Sequence, residues 1–359
     1  MSEFVYRLLD KGVLPDFLVR IGIRSLLRER LREIDHGTFE QNHEAKMKWI
    51  AGTRTRQTIA DVPEKANEQH YEVPTDFILS TLGPRGKYSS CLFPTGGETL
   101  EEAENLMLES YCEKARLKDG IDILDLGCGW GSLSIFLAEK YPNSRVTGLS
   151  NSTTQKAHID SVAHKRGISN ITVITADVNS YDFPEDIRFD RILSIEMFEH
   201  MKNYEALFKK VASWLRPKDL EGGLADEALL FIHIFCHKTM PYDFIDDGSW
   251  MAKNFFSGGT MPSFDLPTYF QSDVALLDSW YLPGIHYSRT LEAWLRLQDT
   301  NAKEGLASLK ADAIKQGKPE SEGLLTFNRF RVFYMACSEL FNLDQGQQWG
   351  VAHYLFKRK

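Results

Sequence analysis

No run of the 359-residue sequence comes near the about 20 consecutive apolar residues that a helix needs to cross a bilayer. Membrane-spanning helices are therefore not expected, nor is stable membrane association. Cysteine is scarce and scattered. Cys91, Cys112, Cys128, Cys236 and Cys337 are odd in number and form no C-x-x-C pair, so neither a zinc cage nor a disulfide scaffold is indicated. A reduced, cytoplasmic setting is the expectation. Basic charge is also in short supply: 42 Lys and Arg stand against 50 Asp and Glu, a net charge of −8. Nucleic acid backbones call for basic surface, so they are poor partners for this chain. Internal repeats and low-complexity tracts are missing. The opening MSEFVYRLLDKG lacks the basic region, apolar core and small-residue site of a secretory leader, and none is expected.

What is present is globular, with 43% hydrophobic and 26% charged residues. Residues 1 to about 60 read as helices, with Leu26, Leu27, Leu31 and Ile34 at three- and four-residue spacing. This end is positive, with eleven Lys and Arg against eight Asp and Glu in residues 1–56. From residue 121 the pattern changes to apolar runs: IDILDLG, SRVTGLS (144–150), ITVITADV (171–178), FDRILSIE (189–196) and ALLFIHIF (228–235). Helical stretches at 132–140 and 153–166 separate the first three. Strands alternating with helices predict a parallel α/β sheet, whose ligand sits beyond the carboxyl ends of the strands.

Asp125-Leu-Gly127-Cys-Gly129-Trp-Gly131 closes the first run and opens a helix. A turn this tight wants glycines at positive φ, and a ligand approaches where Cβ is missing. The spacing is G-x-G-x-G, not the G-x-G-x-x-G of a dinucleotide site. The second run ends in Gly148-Leu-Ser-Asn151-Ser152 with no carboxylate to hold a nicotinamide cofactor's ribose. Asn151 with Ser150 can bond a ribose, and Asn151 or Ser152 can cap the next helix. Asp177 can accept from an adenine amino group or stand as a solvated loop residue. Glu196, Glu199 and His200 follow the fourth run; their spacing fits a ligand-edge acid–base cluster or simply acids at a helix start.

As a set, DLGCGWG, GLSNSTTQ (148–155), Ala176-Asp177 and SIEMFEH (194–200) resemble the cyclopropane fatty acid synthase superfamily of S-adenosylmethionine methyltransferases. Within it the chain resembles the coclaurine N-methyltransferase family of plant amine N-methyltransferases. ANEQHYEVPTDF (66–77), FFSGGTMPS (255–263), HYSRTLEAWL (286–295) and QQWGVAHYLFKRK (347–359) add to the likeness, which spans residues 60–359. It implies a Rossmann-like class I fold: a seven-stranded, mostly parallel sheet with helices on both faces and an N-terminal helical cap. The expected division is a cap at 1–85 and a methyltransferase domain at 86–359, with a pocket-wall insertion at about 238–285. Residues 220–227, LEGGLADE, read as a polar surface insertion.

The resemblance implies S-adenosylmethionine contacts at Tyr88, Ser89, Gly127, Gly129, Asn151, Gln155, Asp177, Val178 and Ile195. It implies catalytic roles for Glu196, Glu199 and His200, substrate contacts at Glu72, His233, Phe235 and Tyr287, and no metal. The partner expected is a small-molecule amine; a homodimer stays open. A carboxylate attracts the ammonium, and then His200, its pKa raised by a carboxylate partner, or a carboxylate through water takes the proton. Trp250, Phe255, Phe256, Tyr269, Trp280, Tyr281, Tyr287 and Trp294 are candidates for an aromatic wall or for core. Two other functions compete. A cyclopropane-fatty-acyl-phospholipid synthase would hold bicarbonate with a cysteine after Tyr-Ser, where Ser90 stands, and would carry a small residue in place of Glu196. A non-catalytic S-adenosylmethionine-binding protein would have lost the glycine loop or the base cluster, and both are intact.

Overall fold

The computed structural model describes residues 3–60, 73–217, 227–245, 247–255 and 258–359. Glu72, Phe256 and all but the last residue of the 220–227 insertion lie outside them. The strands are β1 (Asp122–Leu126), β2 (Arg145–Ser150), β3 (Ile171–Thr175), β4 (Arg191–Ile195), β5 (Leu229–His237), β6 (Tyr242–Asp243), β7 (Thr260–Met261), β8 (Val274–Pro283) and β9 (Trp349–Arg358). Seven form one sheet in the order β3-β2-β1-β4-β5-β9-β8. The five strands β1 to β5 run parallel, and β9 runs antiparallel between β5 and β8. β6 and β7 pair separately.

The order follows from burial. β5 is buried along its whole length, as a strand covered on both faces must be, and its apolar run announces it. β8 and β9 were not read from the sequence. β9 is apolar without alternation, and β8 carries a register shift between Leu276 and Asp278 that breaks its period. The helix Ser132–Lys140 starts where Gly131 leaves the loop, and Gly167 in the left-handed conformation ends the helix Thr153–Arg166.

The N-terminal helices Glu3–Asp10, Asp16–Ile34 and Phe39–Arg54 are held from the side. Arg20 bonds Glu292 at 2.7 Å and Glu339 at 3.1 Å, on the helices Ile285–Thr300 and Ser321–Asn342. Arg329 reaches back to Asp10 at 2.8 Å and Arg331 to Asp16 at 3.0 Å. Farther on, Trp49 Nε1 donates to Asp243 at 3.2 Å and Lys202 N–H to the Ile59 carbonyl at 2.6 Å. Of the last two contacts, the first brings the N-terminal segment to β6 and the second brings it to the turn that follows β4.

Candidate active site

The glycine loop passes through three left-handed residues, Gly127 (φ 84°), Gly129 (φ 51°) and Gly131 (φ 82°). They make room for different neighbours. A Cβ on Gly127 would meet Met197 at 2.7 Å, and one on Gly131 would meet Ile159 at 2.5 Å, whereas nothing lies within 4 Å of one on Gly129. The first gap admits the turn after β4 and the second admits the helix after β2. Gly129 faces open space, where a ligand can approach.

The cavity there is lined by Tyr88, Ser89, Gly127, Gly129 and Ile195, five of the cofactor residues expected from sequence, and by Lys87, Asp125 and Glu196 among others. Asn151, Gln155, Asp177 and Val178 sit outside that lining, just beyond the ends of β2 and β3. Ser152, not Asn151, caps its helix by accepting from the Gln155 N–H at 3.3 Å, which leaves Asn151 exposed. Gln155 Oε1 accepts from Ser150 at 2.7 Å. The Asp177 carboxylate accepts from the Asn179 N–H at 2.9 Å. Trp130 Nε1 and Ser132 Oγ, of residues on the cavity wall, are buried with no hydrogen-bond partner among the described residues. Leaving such groups unpaired costs about 1–3 kcal/mol each. A polar ligand with acceptors, as S-adenosylmethionine is, fits a cavity with these donors and with Gly129 open.

Beyond Ile195 the chain turns sharply. Glu196 sits at φ 49°, a conformation costly for a residue with a Cβ, and its N–H donates to the His233 carbonyl at 2.9 Å. A single 3-10 turn, Phe198–His200, follows in place of the longer helix that the spacing suggested. The Glu196 carboxylate is held from three directions. Oε1 accepts from the Ser90 N–H at 2.9 Å and bonds His233 Nε2 at 3.0 Å, and Oε2 accepts from the Tyr287 hydroxyl at 2.5 Å. Glu199 is 3% exposed, and its Oε2 has no hydrogen-bond partner among the described residues.

Burial pushes the Glu199 carboxyl well above its ordinary range, and the charge on Glu196 adds to this. Burial also raises Glu196, but Lys87, the Ser90 N–H and Tyr287 pull it back. Glu196, held by three donors, is thus the more readily ionised of the pair, and Glu199 the better proton acceptor. His200 departs from the sequence expectation. Burial outweighs the pull of Glu196 and takes its pKa down to about 4.

Of the expected substrate residues, His233 and Tyr287 bond Glu196 directly. Tyr287 stacks on Phe341 at 4.4 Å, Phe341 meets Phe235 at 6.3 Å, and Trp294 meets Tyr287 at 6.3 Å and stacks on Tyr88 at 5.3 Å. The other candidate aromatics lie elsewhere. Trp250 packs on Phe255, which stacks on Phe333 at 4.4 Å. Tyr269 donates to Asp265, Tyr281 meets Phe264 edge-on, and Trp280 lies under Lys114.

Lys87 is a site residue the sequence reading missed. It is 2% exposed, and its Nζ donates to Ser89 Oγ at 2.5 Å and the Ser90 carbonyl at 2.8 Å. A lysine between a loop glycine and Tyr-Ser carries no signal of burial.

A sheet of this order, with one antiparallel strand and a ligand cavity at the β1 loop, is that of the class I S-adenosylmethionine-dependent methyltransferases. The family model described as mycolic acid cyclopropane synthetase matches residues 59–347. (S)-Coclaurine N-methyltransferase of Thalictrum flavum subsp. glaucum is 38% identical over 356 residues, covering 98% of this chain and 94% of the relative. A crystal structure of coclaurine N-methyltransferase bound to N-methylheliamine and S-adenosylhomocysteine superposes with a TM-score of 0.90, at 35% identity and 99% of both chains. The cyclopropane-fatty-acyl-phospholipid synthase of Escherichia coli (strain K12) is 30% identical, over 63% of this chain and 54% of its own. The chain belongs to the mycolic acid cyclopropane synthetase family, in its coclaurine N-methyltransferase branch. It is an S-adenosylmethionine-dependent amine N-methyltransferase. No helix among the described residues is long and apolar enough to cross a membrane.

Proposed function

We propose that this enzyme methylates the amine nitrogen of an aromatic alkaloid or phenylalkylamine, with Glu196, Glu199 and His200 binding and deprotonating it. The observation that carries the reading is Glu199, a buried carboxylate with an unsatisfied oxygen and a raised pKa. An ammonium ion brings both the charge and the N–H donors that this oxygen needs. The rings of Tyr287 and Phe341 suit a cation that itself carries a ring.

Bound S-adenosylmethionine supplies an electrophilic methyl on sulfur. The nitrogen must offer it a free lone pair. An alkylamine has a pKa near 10.4, like lysine, and His200 at about 4 lies roughly 6 units lower, about 9 kcal/mol uphill. His200 alone is therefore no base for this reaction. Burial lowers the amine's pKa, as it does that of Lys87 on the cavity wall. The same burial raises Glu199, so the two values approach each other and the carboxylate takes the proton. Neutral His200 then orients the nitrogen. The free amine displaces sulfur, forming the N–CH3 bond as the S–CH3 bond breaks. The product is the methylated ammonium.

The Glu196 carboxylate already holds the Ser90 N–H, His233 and Tyr287, which supports an amine over the bicarbonate-assisted lipid chemistry. The contacts of Trp49 with β6 and of Ile59 with the turn after β4 support the division into a cap at 1–85 and a catalytic domain at 86–359 with the 238–285 wall. Within the same reading the setting is cytoplasmic and the cofactor contacts are the nine given above. Incubation with S-adenosylmethionine and a mixed amine panel, read by mass, tests the proposal. The expected products are N-methylated aromatic amines. Methylene added to phospholipid, with every amine unchanged, overturns it.

A further inference from the structure

Behind the Glu196 carboxylate runs a line of hydrogen bonds that the chemistry above does not use. His233 Nε2 meets Glu196 Oε1 at 3.0 Å. On its other side, His233 Nδ1 meets His353 Nε2 at 2.9 Å and the Tyr111 hydroxyl at 2.9 Å. His353 Nδ1 meets Lys114 Nζ at 2.8 Å. His233 and His353 are 0% exposed and face each other across β5 and β9. Lys114, in the last turn of the helix Leu100–Lys114, is half-buried over the ring of Trp280 at 5.3 Å. The line thus starts at the site carboxylate, crosses the sheet and ends on an amine that reaches solvent.

We propose that Glu196, His233, His353 and Lys114 form a relay that carries the substrate's proton from the site to the surface; the inference rests on the amine reading above. The bonds can all point one way or the other. In one arrangement the Lys114 ammonium donates to His353 Nδ1, His353 Nε2–H donates to His233 Nδ1, and His233 Nε2–H donates to ionised Glu196. In the other, Glu196 is the acid and donates to His233 Nε2, each imidazole carries its proton on Nδ1, and Lys114 is a neutral amine. A shift of one proton along each bond converts the second into the first. One proton enters at Glu196, coming from the amine directly or by way of Glu199, and one leaves Lys114 for water. Neither imidazole gains a net charge. The Tyr111 hydroxyl can donate to His233 Nδ1 or accept from it, so it serves both arrangements.

The charges around the line fit this traffic. Burial, with Lys87 and Lys114 nearby, pushes both histidines well below their ordinary pKa, which suits relay by tautomer exchange over a stored imidazolium. Burial brings Lys114 down to about 8 against the pull of Glu113 and Asp278, so it exchanges protons with water near neutral pH.

The test separates a relay from a structural contact. Lys114→Arg keeps the cation, its donors and its place over Trp280, but a guanidinium does not give up its proton. At pH 7, kcat for an alkylamine is expected to fall by about tenfold, with the amine KM and S-adenosylmethionine affinity unchanged. The deficit should shrink as the pH is raised to 9.5, where more amine arrives as the free base. Lys114→Gln should behave alike and stands in if the bulkier side chain disturbs folding. Full turnover at pH 7 in either folded variant, or a deficit that persists unchanged to pH 9.5, overturns the relay. A wild-type enzyme that methylates no amine instead overturns the function on which the relay rests.

Discussion

On the cofactor side of the chamber one part of the wall, the glycine loop, is shaped by backbone. Gly127, Gly129 and Gly131 turn the chain within five residues, and the openings they leave are set by absent side chains. On the substrate side the wall is side chains drawn from distant places. Glu196 is held by Ser90, 106 residues before it, and by His233 and Tyr287, 37 and 91 residues after it. The first construction serves any ligand of the right outline, because backbone has little chemistry to vary. The second sets charge, proton affinity and ring contacts one residue at a time. Cofactor binding and amine chemistry should therefore fail separately when each side is altered.

The largest effect is expected at Gly129. In Gly129→Val a branched side chain at φ 51° is strained, and it projects into the open space beside the loop. Calorimetric titration should find no S-adenosylmethionine binding. Gly167→Ala is the control, because that glycine is also left-handed with nothing within 4 Å but lies at a helix end outside the cavity. It should lose about 1 kcal/mol of stability and keep its affinity. Retained binding in Gly129→Val would mean that the loop is not the cofactor wall.

The next effect lies on the other side. Glu199→Gln keeps the shape but cannot take a proton. We expect kcat to fall about 100- to 1,000-fold with cofactor affinity changed less than about threefold. An equal loss of cofactor binding would merge the two sides into one. The raised pKa of Glu199 also sets the sign of the pH dependence. Only the ionised carboxylate accepts the proton, so kcat/KM should rise with pH through a value above the ordinary glutamate range. That rising limb should be absent in Glu199→Gln.

The same contrast governs what could be read from the sequence. The glycine loop lies within seven residues and the Glu196–Glu199–His200 cluster within five, so spacing alone brought both to notice. The strands β1 to β5 were legible because each is a short apolar run between helices. His233, Phe235 and Tyr287 came only through family likeness, since no spacing rule joins residues so far apart. Lys87, Tyr111, His353 and Lys114 were not found. One faint signal existed: β5 and β9 each carry a histidine inside an otherwise apolar run, FIHIF and VAHYL, and the antiparallel register places the two side by side. Without knowing that β9 enters the sheet next to β5, that pairing is invisible.

Asp125, a side chain beside the glycine loop, gives the smallest effect. It ends on the cavity wall, 1% exposed, with one carboxylate oxygen accepting from Ser134 Oγ at 2.6 Å. Burial raises its pKa to about 6, with the Ser134 contacts opposing. A carboxyl whose folded pKa is raised costs no stability below its unfolded value, near 3.9. Between there and about 6 the unfolded chain ionises first, so folding loses ground as the pH rises, by about 3 kcal/mol in all. Asp125→Asn cannot ionise, and its side-chain oxygen can still accept from Ser134. Urea titrations at pH 5 and pH 7.5 should therefore find the variant gaining about 1–2 kcal/mol on the wild type between the two pH values. A constant difference would mean that Asp125 titrates as an ordinary aspartate and that the cofactor side carries no strained side chain of its own.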